Sequence, residues 1–355
     1  MYFDLTDDQK AIADTIRSAL RDATPDDKAV AKFTAAELDR ELWGQLAEMG
    51  LGGVLVGEEH GGIGMDLLTL AAIEEELGYF AAAVPVANNA LAAWLIATAG
   101  SEQQRERWIA PLVAGEAIAA FALHEDGRID PAAWTLDPVR LEGTKPNVLF
   151  AGDAALFVVG TRAGGLALVE AGSAGVEVQS VPPTDGSQPL GHLVLAGAAG
   201  EALAADADTV TRLLDALYVL AAADACGAGN HSIDLAVEYA KTRKQFDRLI
   251  GSFQGLKHQL ANMKAEMEPV RSLVWYAAHC WDAIPDKASY AASLAKAHAS
   301  EIAVKVSRAA VEAHGGIGYT WEYPLHIYLK RAMTARAANG LPARHRERSA
   351  ALAGW

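Results

Sequence analysis

The sequence is poor in cysteine and in basic residues. Cys226 and Cys280 are its only cysteines, which gives no disulfide framework and no metal-ligand spacing, so we expect a reducing, cytoplasmic location and no metal. Lys and Arg number 30 against 45 Asp and Glu, for a net charge of −15. This balance argues against nucleic acid or anionic membrane as the main partner, because both are bound by clustered positive charge.

Long uninterrupted apolar runs are also scarce. The stretch from Leu77 to Ser101 carries no charge, but Pro85 and the Asn88-Asn89 pair interrupt it. A buried helix entered through a loop fits this stretch better than a membrane span does. The start, Met1-Tyr2-Phe3-Asp4, lacks the basic and apolar segments of a secretory signal, and we expect none.

Apolar residues make up 51% of the chain, enough for a sizeable core. Their pattern predicts three domains: a helical one over 1–116, a β domain over 117–205 and a four-helix bundle over 206–355. The middle domain alternates short apolar runs with turn signals, which is typical of a small barrel or sandwich. We therefore expect an α+β fold that is mostly α.

Helix ends are predicted from local signals. Three pairs have the capping-box spacing, in which a hydroxyl and an amide or carboxylate satisfy free N–H groups: Thr6 with Gln9, Thr34 with Glu37, and Ser101 with Gln104. The helix after Thr34 should bury a face that includes Leu38, Leu42, Leu46 and Met49 and end at Gly50. In the last domain, long helices are expected over Thr209–Arg243, over Gln254–Ile284, and from a cap at Asp286 to about His314.

One segment between these long helices, Arg243–Gln254, could bind an anion. Arg243 offers a planar donor fork suited to a phosphate, and Phe246 offers a flat apolar face. The alternative is a solvated connection between two helices.

A second segment, Glu312–Pro324, has three glycines in four residues. Gly315 and Gly316 would let the backbone approach a ligand without an intervening Cβ atom. A glycine-rich helix stop is the alternative.

Taken together, the two segments resemble those of the acyl-CoA dehydrogenase family, which carries R-x-Q-F-G-x-P-I-x-x-F-Q and later Q-x-H-G-G-x-G-Y-T-x-E-x-P. Glu58–Gly62 matches the family's E-E-x-G-G loop, and the order of domains also agrees. The resemblance implies an FAD-dependent fold that acts on acyl-CoA thioesters and passes electrons to an electron-transferring flavoprotein.

The resemblance also implies roles for individual residues. Arg243, with Gln245 and Phe246, matches the group that reaches the FAD of an adjacent subunit, and Gly315-Gly316 matches backbone at its adenine end. Glu312 stands where the family has glutamine, which is unfavourable beside a pyrophosphate. Asp215 matches an aspartate beside the CoA moiety; the alternative for Asp215 is a solvated helix-face residue.

The family's catalytic glutamate is missing. It should remove the α-proton of the thioester while the β-hydride passes to the flavin, and its two known positions here read Gly340, within Asn339–Pro342, and Leu217. Asp224, on the same helix face as Leu217, is a weak candidate for a displaced base. Asn147-Val148-Leu149 replaces the family's W-I-T at the flavin ring.

Three interpretations remain open at this stage. The first is the base-less subunit of a heteromeric α2β2 enzyme, similar to the steroid-degrading actinobacterial type, in which residues that reach a neighbour's flavin survive and those for the chain's own flavin do not. The second is a self-sufficient homotetrameric dehydrogenase with a displaced base. The third is a non-dehydrogenase protein of the same fold that binds acyl-CoA or flavin.

Overall fold

The computed structural model describes residues 4–24, 26–125 and 127–355. The expectation of no secretory signal rests partly on residues 1–3, which lie outside the described residues. The chain divides into two compact units. The first takes in Met1–Ala35, Ala71–Ala82 and Tyr218–Trp355, and the second takes in Ala36–Leu70 and Ala83–Leu217. The division into three domains stays a prediction.

The described chain contains eleven α-helices. In chain order they are α1 (Asp7–Ala23), α2 (Asp26–Ala35), α3 (Arg40–Glu48), α4 (Leu67–Tyr79), α5 (Val86–Ala99), α6 (Glu102–Val113), α7 (Ala207–Thr242), α8 (Gln254–Ala283), α9 (Pro285–His314), α10 (Leu325–Ala337) and α11 (Pro342–Leu352). Two of the four boundaries between the units fall within α4 and α7.

The first unit, the helical unit, is built around a close contact between α4 and α7. A Cβ atom at Gly78 would overlap the Asp224 carbonyl oxygen, and one at Gly227 would overlap that of Glu75. Glycine at both positions therefore lets the two helix backbones touch. Near this contact, Glu75 and Glu76 of α4 are buried.

Arginines from other helices pair with these buried carboxylates. Arg271 of α8 donates to Glu75 at 2.7 Å, and Arg17 of α1 donates to Glu76 at 2.8 Å. A charge taken out of water is costly unless it is paired and hydrogen-bonded. These pairs therefore tie α1 and α8 to one register on α4.

The three long helices form where the sequence predicts them. They contain 36, 30 and 30 residues, and α9 packs against α8, α10 and α11. The expectation that Asp286 caps α9 is wrong. Pro285 occupies the first helical position, with Ile284 as the cap, because the fixed φ of proline suits a helix start.

Two of the three predicted capping boxes are present. Thr6 with Gln9 caps α1 and Ser101 with Gln104 caps α6. The third is wrong: Thr34 lies inside α2 and donates to the Val30 carbonyl at 2.7 Å. Asp39 caps α3 instead, accepting from Leu42 N–H at 3.2 Å.

The predicted buried face of α3 is confirmed in part. Leu42 and Leu46 are buried, whereas Met49 is 43% exposed. Leu38 is also buried but precedes the helix, which begins at Arg40. The helix ends at Glu48, and Gly50, with φ of 80°, turns the chain away.

Strands fill the middle of the chain, as the pattern of apolar runs and turn signals predicts. Seven lie in the second unit: β1 (Ala119–Ala122), β2 (Arg140–Leu149), β3 (Leu156–Thr161), β4 (Gly165–Glu170), β5 (Val176–Val181), β6 (Leu190–Ala199) and β7 (Glu201–Ala202). They form a sheet of order β1-β3-β4-β7, in which β1 and β3 are parallel, and an antiparallel sheet of order β2-β6-β5.

The two sheets share one core, which favours a sandwich over a barrel. Phe157 of β3 and Val169 of β4 pack in the same buried cluster as Leu141 of β2 and Leu193 of β6. Alternate residues along each strand supply this core, since successive side chains point to opposite faces.

The uncharged stretch that includes Leu77 to Ser101 forms part of α4 and the buried helix α5. None of the described helices is both long and apolar enough to cross a membrane. Cys226 and Cys280 are both free and buried. Within the described residues, no group of His, Cys, Asp and Glu could hold a metal ion.

Candidate functional site

The Arg243–Gln254 segment is a short hairpin between two long helices. Strand β8 (Lys244–Gln245) pairs with β9 (Arg248–Leu249), and the turn residues Phe246 and Asp247 have φ of 52° and 61°. Such a turn favours glycine at both positions, and a bulky residue in this region stores strain. The strained turn holds the Phe246 ring out, 87% exposed.

Arg243 lies at the point where α7 ends and the hairpin begins. Its backbone is fixed, because its N–H donates to the Tyr239 carbonyl at 2.9 Å and its carbonyl accepts from Ile250 N–H at 2.9 Å. Its side chain is exposed and forms no ion pair with any described residue. An exposed, unpaired guanidinium on a fixed backbone is suited to bind an anion.

The glycine segment begins where α9 ends. Gly315 has φ of 65° and ψ of −141°, a conformation that is essentially confined to glycine. A Cβ atom at Gly315 or Gly316 would meet nothing within 4 Å, whereas one at Gly318 would lie 2.8 Å from the Val311 carbonyl oxygen. Packing within the chain therefore explains Gly318, and the bare backbone at Gly315-Gly316 faces open space.

The structure brings the two segments to the same end of the bundle. Tyr239, one turn before Arg243, stacks on His314, the residue before Gly315, with ring centroids 4.5 Å apart and planes at 21°. Glu312 lies on the exposed face of the same turn of α9. The arginine, the phenylalanine and the open glycines thus belong to one surface, and Gln245 lies exposed on the hairpin.

The loop between α10 and α11, one of the two positions where the resemblance predicts the catalytic glutamate, is held by side-chain contacts. His345 Nε2 donates to the Asn339 carbonyl at 2.9 Å, and the buried Lys296 donates to the carbonyls of Ala335 at 2.7 Å and Gly340 at 3.4 Å. Residues 338–341 contain no carboxylate. A lysine and a histidine thus hold the backbone at one of the two positions where the resemblance predicts the base.

Burial changes the acidity of Lys296. Desolvation, with the charge of Arg336 adding to it, lowers the pKa of Lys296 from its usual 10.5 to about 7. The ammonium form therefore carries a cost in the folded chain that it does not carry in the unfolded chain. Sequence reasoning missed this group, because a lysine within a helix is ordinarily solvated.

The second base position, Leu217, is half-buried on α7 and offers no proton acceptor. Asp224 is buried and bound to Arg331, whose Nε and Nη2 donate to its Oδ1 at 2.8 and 2.7 Å. Arg331 also donates to the Ala82 carbonyl at 3.0 Å. Protonation of Asp224 would weaken this ion pair, so the geometry gives Asp224 a structural role.

A carboxyl group that sequence reasoning missed lies near Asp224. The Oε2 atom of Glu74 is buried and has no hydrogen-bond partner. Burial, together with the charge of Asp224, raises the pKa of Glu74 to about 8. No sequence signal distinguishes Glu74 from Glu75 and Glu76, which follow it on α4.

Asp215 is also buried, at 1% exposure, so its interpretation as a solvated helix-face residue is wrong.

In the second unit, Asn147 has φ of 57° and its N–H donates to His192 Nδ1 at 3.2 Å. Val148 lies in the core of the sandwich. A β-bulge between Lys145 and Val148 produces this local geometry. This stretch presents an amide where the resemblance predicts a tryptophan.

Comparison with known proteins identifies the family. The acyl-CoA dehydrogenase N-terminal domain matches residues 6–116, and the C-terminal domain matches residues 208–353. The acyl-CoA dehydrogenase FadE27 of Mycobacterium tuberculosis is 32% identical over 94% of this chain and 92% of its own. The chain belongs to the acyl-CoA dehydrogenase family.

Solved structures of this fold support the same identification. Butyryl-CoA dehydrogenase from Megasphaera elsdenii matches all of this chain with a TM-score of 0.89 and 26% identity, covering 100% of both chains. A chain of the ChsE4-ChsE5 complex from M. tuberculosis matches with a TM-score of 0.89 and 28% identity, covering 100% of this chain and 99% of its own. FAD is the cofactor of this flavoprotein family, and the unpaired Arg243 beside open glycine backbone fits its pyrophosphate.

Gly340→Glu tests whether a carboxylate at the position predicted by the resemblance can act as a base. Gly340 has φ of 106°, and a Cβ atom there would lie 3.0 Å from His345 Nε2. We expect a loss of about 1–3 kcal/mol in the free energy of unfolding and no gain in substrate-dependent flavin reduction. Gly61→Glu, with φ of 79° and an open Cβ position, is the control for backbone strain alone. Equal stability of the two variants would contradict the clamp.

Lys296→Met tests the cost of the buried ammonium. Because the folded pKa lies below the unfolded one, wild-type stability should rise as pH increases from about 7 towards 10.5. Methionine does not titrate, so it removes this pH dependence. Relative to wild type, the free energy of unfolding of the variant should therefore be most favourable near pH 7 and least favourable near pH 10. Denaturant unfolding across this range measures it, with the exposed Lys257→Met as control. Parallel curves for wild type and Lys296→Met would show that Lys296 is not shifted.

Proposed function

We propose that this chain is the subunit of a heteromeric acyl-CoA dehydrogenase that lacks the catalytic base. Its role is to complete the FAD site of a second acyl-CoA dehydrogenase-type subunit, in an enzyme that dehydrogenates an acyl-CoA thioester between its α and β carbons. The observation that carries the proposal is a contrast within one helical unit. The proposed anion-binding end of the bundle is exposed and keeps Arg243, Gln245 and Phe246, whereas the loop expected to carry the base is clamped and has no carboxylate.

The exposed hairpin supports action on a neighbour's cofactor. Arg243 and Phe246 point away from their own unit, and Ile317, Tyr319 and Trp321 expose apolar surface along the glycine segment. Exposed apolar surface beside an unpaired cation is typical of an interface that encloses a charged ligand. In this arrangement Arg243 binds the pyrophosphate, Phe246 and Gln245 line it, and Gly315-Gly316 lets the adenine end approach.

The chemistry divides between the two chains. FAD, when bound, accepts the hydride from the β carbon. Removal of the α-proton needs a positioned carboxylate, a role worth about 10²–10⁴ in rate, and this chain has none at either expected position. We therefore assign the base to the partner. Following the resemblance, we assign contact with the CoA moiety to Asp215.

Similarity to two solved complexes supports a heteromer. Besides the ChsE4-ChsE5 complex, the Tcur3481-Tcur3483 steroid acyl-CoA dehydrogenase contains a chain 29% identical to this one, with a TM-score of 0.87 and 98% of both chains covered. By analogy, we propose an α2β2 assembly and an acyl-CoA with a bulky, steroid-like acyl group. An electron-transferring flavoprotein is the proposed acceptor.

A specific observation also favours a second candidate function. Glu74 has a buried oxygen without a partner and a pKa of about 8, properties suited to a general base. A self-sufficient homotetramer with a displaced base would therefore use Glu74 rather than the ion-paired Asp224. If the chain alone is active, Glu74→Gln tests whether Glu74 is the base, because this variant should then lose that activity.

The proposal predicts the flavin content of the chain alone and in complex. The chain purified alone should hold little FAD, and its flavin absorbance should not bleach on adding short, long or steroid-like saturated acyl-CoA. Co-expressed with its partner, it should yield one FAD per heterodimer, measured by absorbance and native mass. One FAD per chain in a homotetramer, with bleaching, would overturn the proposal.

Arg243→Ala tests action in trans. Loss of a charge-assisted, bidentate contact costs about 1.5–3 kcal/mol, so FAD affinity of the assembled complex should fall roughly ten- to a hundredfold. The neighbouring exposed Lys244→Ala serves as the control, and circular dichroism verifies the fold. Unchanged FAD affinity in a folded Arg243→Ala complex would show that Arg243 does not bind FAD and is only a cation at a helix end.

A further inference from the structure

The glycine segment is held at its start by a histidine whose two ring nitrogens are both bonded. His314 Nδ1 donates to the Ala310 carbonyl at 2.7 Å, and Nε2 accepts the hydroxyl of Tyr323 at 3.0 Å. This pattern fixes the neutral tautomer with the proton on Nδ1. His314 is the last residue of α9, so its ring orientation governs where Gly315 begins.

The same ring joins the glycine segment to Arg243. Tyr239 stacks on His314 at 4.5 Å, and Tyr323 lies edge-on to Tyr239 at 6.3 Å. The Tyr239 carbonyl accepts the N–H of Arg243 at 2.9 Å. A continuous chain of contacts therefore runs from the Tyr323 hydroxyl through two stacked rings to the backbone of the anion-binding arginine.

The far end of the glycine segment is anchored separately. The Lys330 ammonium lies 3.9 Å from the Trp321 ring and 4.9 Å from the Phe33 ring, and His326 Nε2 donates to the Trp321 carbonyl at 3.2 Å. Cation–π contacts of this kind stabilise by about 0.5–2 kcal/mol. Gly315-Gly316 thus lies in an exposed span between two fixed points.

We infer that Tyr239, His314 and Tyr323 form a positioning cluster that sets the spacing between Arg243 and the Gly315-Gly316 backbone for one FAD molecule. The inference rests on the proposed flavin role of Arg243. The three residues touch neither the phosphate nor the adenine; they act by holding two separate segments in one geometry before the cofactor arrives. Preorganisation of this kind lowers the entropy lost on binding.

The cluster makes different demands on its members. Tyr323 contributes a hydroxyl, so Tyr323→Phe should break the link while leaving the ring. Tyr239 contributes a stacking face, so Tyr239→Phe should be tolerated and Tyr239→Leu should not. Tyr276→Phe, at a partly exposed position on α8, is the matched control.

The test measures three quantities in the assembled complex: the FAD dissociation constant, turnover at saturating FAD, and the unfolding midpoint without FAD. Tyr323→Phe and Tyr239→Leu should raise the dissociation constant about three- to tenfold, the range expected for one lost hydrogen bond or ring contact. Turnover at saturating FAD should stay within twofold of wild type, and Tyr239→Phe and Tyr276→Phe should bind FAD like wild type. A merely structural role would lower the unfolding midpoint and leave FAD affinity unchanged.

Arg243→Ala separates this inference from the proposed function. If Arg243→Ala weakens FAD binding but Tyr323→Phe and Tyr239→Leu do not, the positioning cluster is refuted and the flavin site stands. If Arg243→Ala has no effect either, the proposed function fails. Loss of turnover at saturating FAD in Tyr323→Phe would also refute a pure positioning role.

Discussion

The backbone contact between α4 and α7 is the constraint on which the helical unit depends. Gly78 and Gly227 permit it, and it accompanies three consecutive glutamates, of which Glu75 and Glu76 are buried and Glu74 is half-buried. Arg17 and Arg271 pair with two of them, while the pKa of Glu74 rises to about 8 because burial disfavours its charged form. Breaking one such pair leaves an uncompensated buried charge, which costs about 3–5 kcal/mol. The helices are therefore held in one register.

That rigidity explains how a site can form from segments far apart in the sequence. The ends of α7 and α9 meet through the rings of Tyr239 and His314, so the arginine that follows one and the glycines that follow the other share a surface. The loop between α10 and α11 is also fixed by contacts within the same unit. Lys296 and His345 stabilise its backbone without supplying a proton acceptor. One unit thus exposes a surface suited to bind an anion and has no carboxylate in this loop.

Local signals predicted much of this architecture, and long-range contacts explain the errors. The long helices, the β region and the capping boxes at Thr6 and Ser101 depend on nearby residues and could be predicted. Thr34 also has the capping spacing, yet α2 continues through it and Asp39 takes the role. Arg243 and Gly315-Gly316 could be singled out because their motifs are contiguous, and their assignment to FAD stays a prediction. The buried charges of Glu74 and Lys296 could not, since burial depends on helices distant in sequence.

The central claim is that Arg243 serves a flavin whose chemistry belongs to another chain. A crystal structure of the co-purified complex with FAD tests it most directly. In that structure the Arg243 guanidinium should lie within hydrogen-bond distance of the FAD pyrophosphate, and the isoalloxazine ring of the same FAD should lie in the partner subunit beside a carboxylate of that subunit. An FAD ring seated against Asn147 of this chain, with Arg243 in solvent, would contradict it.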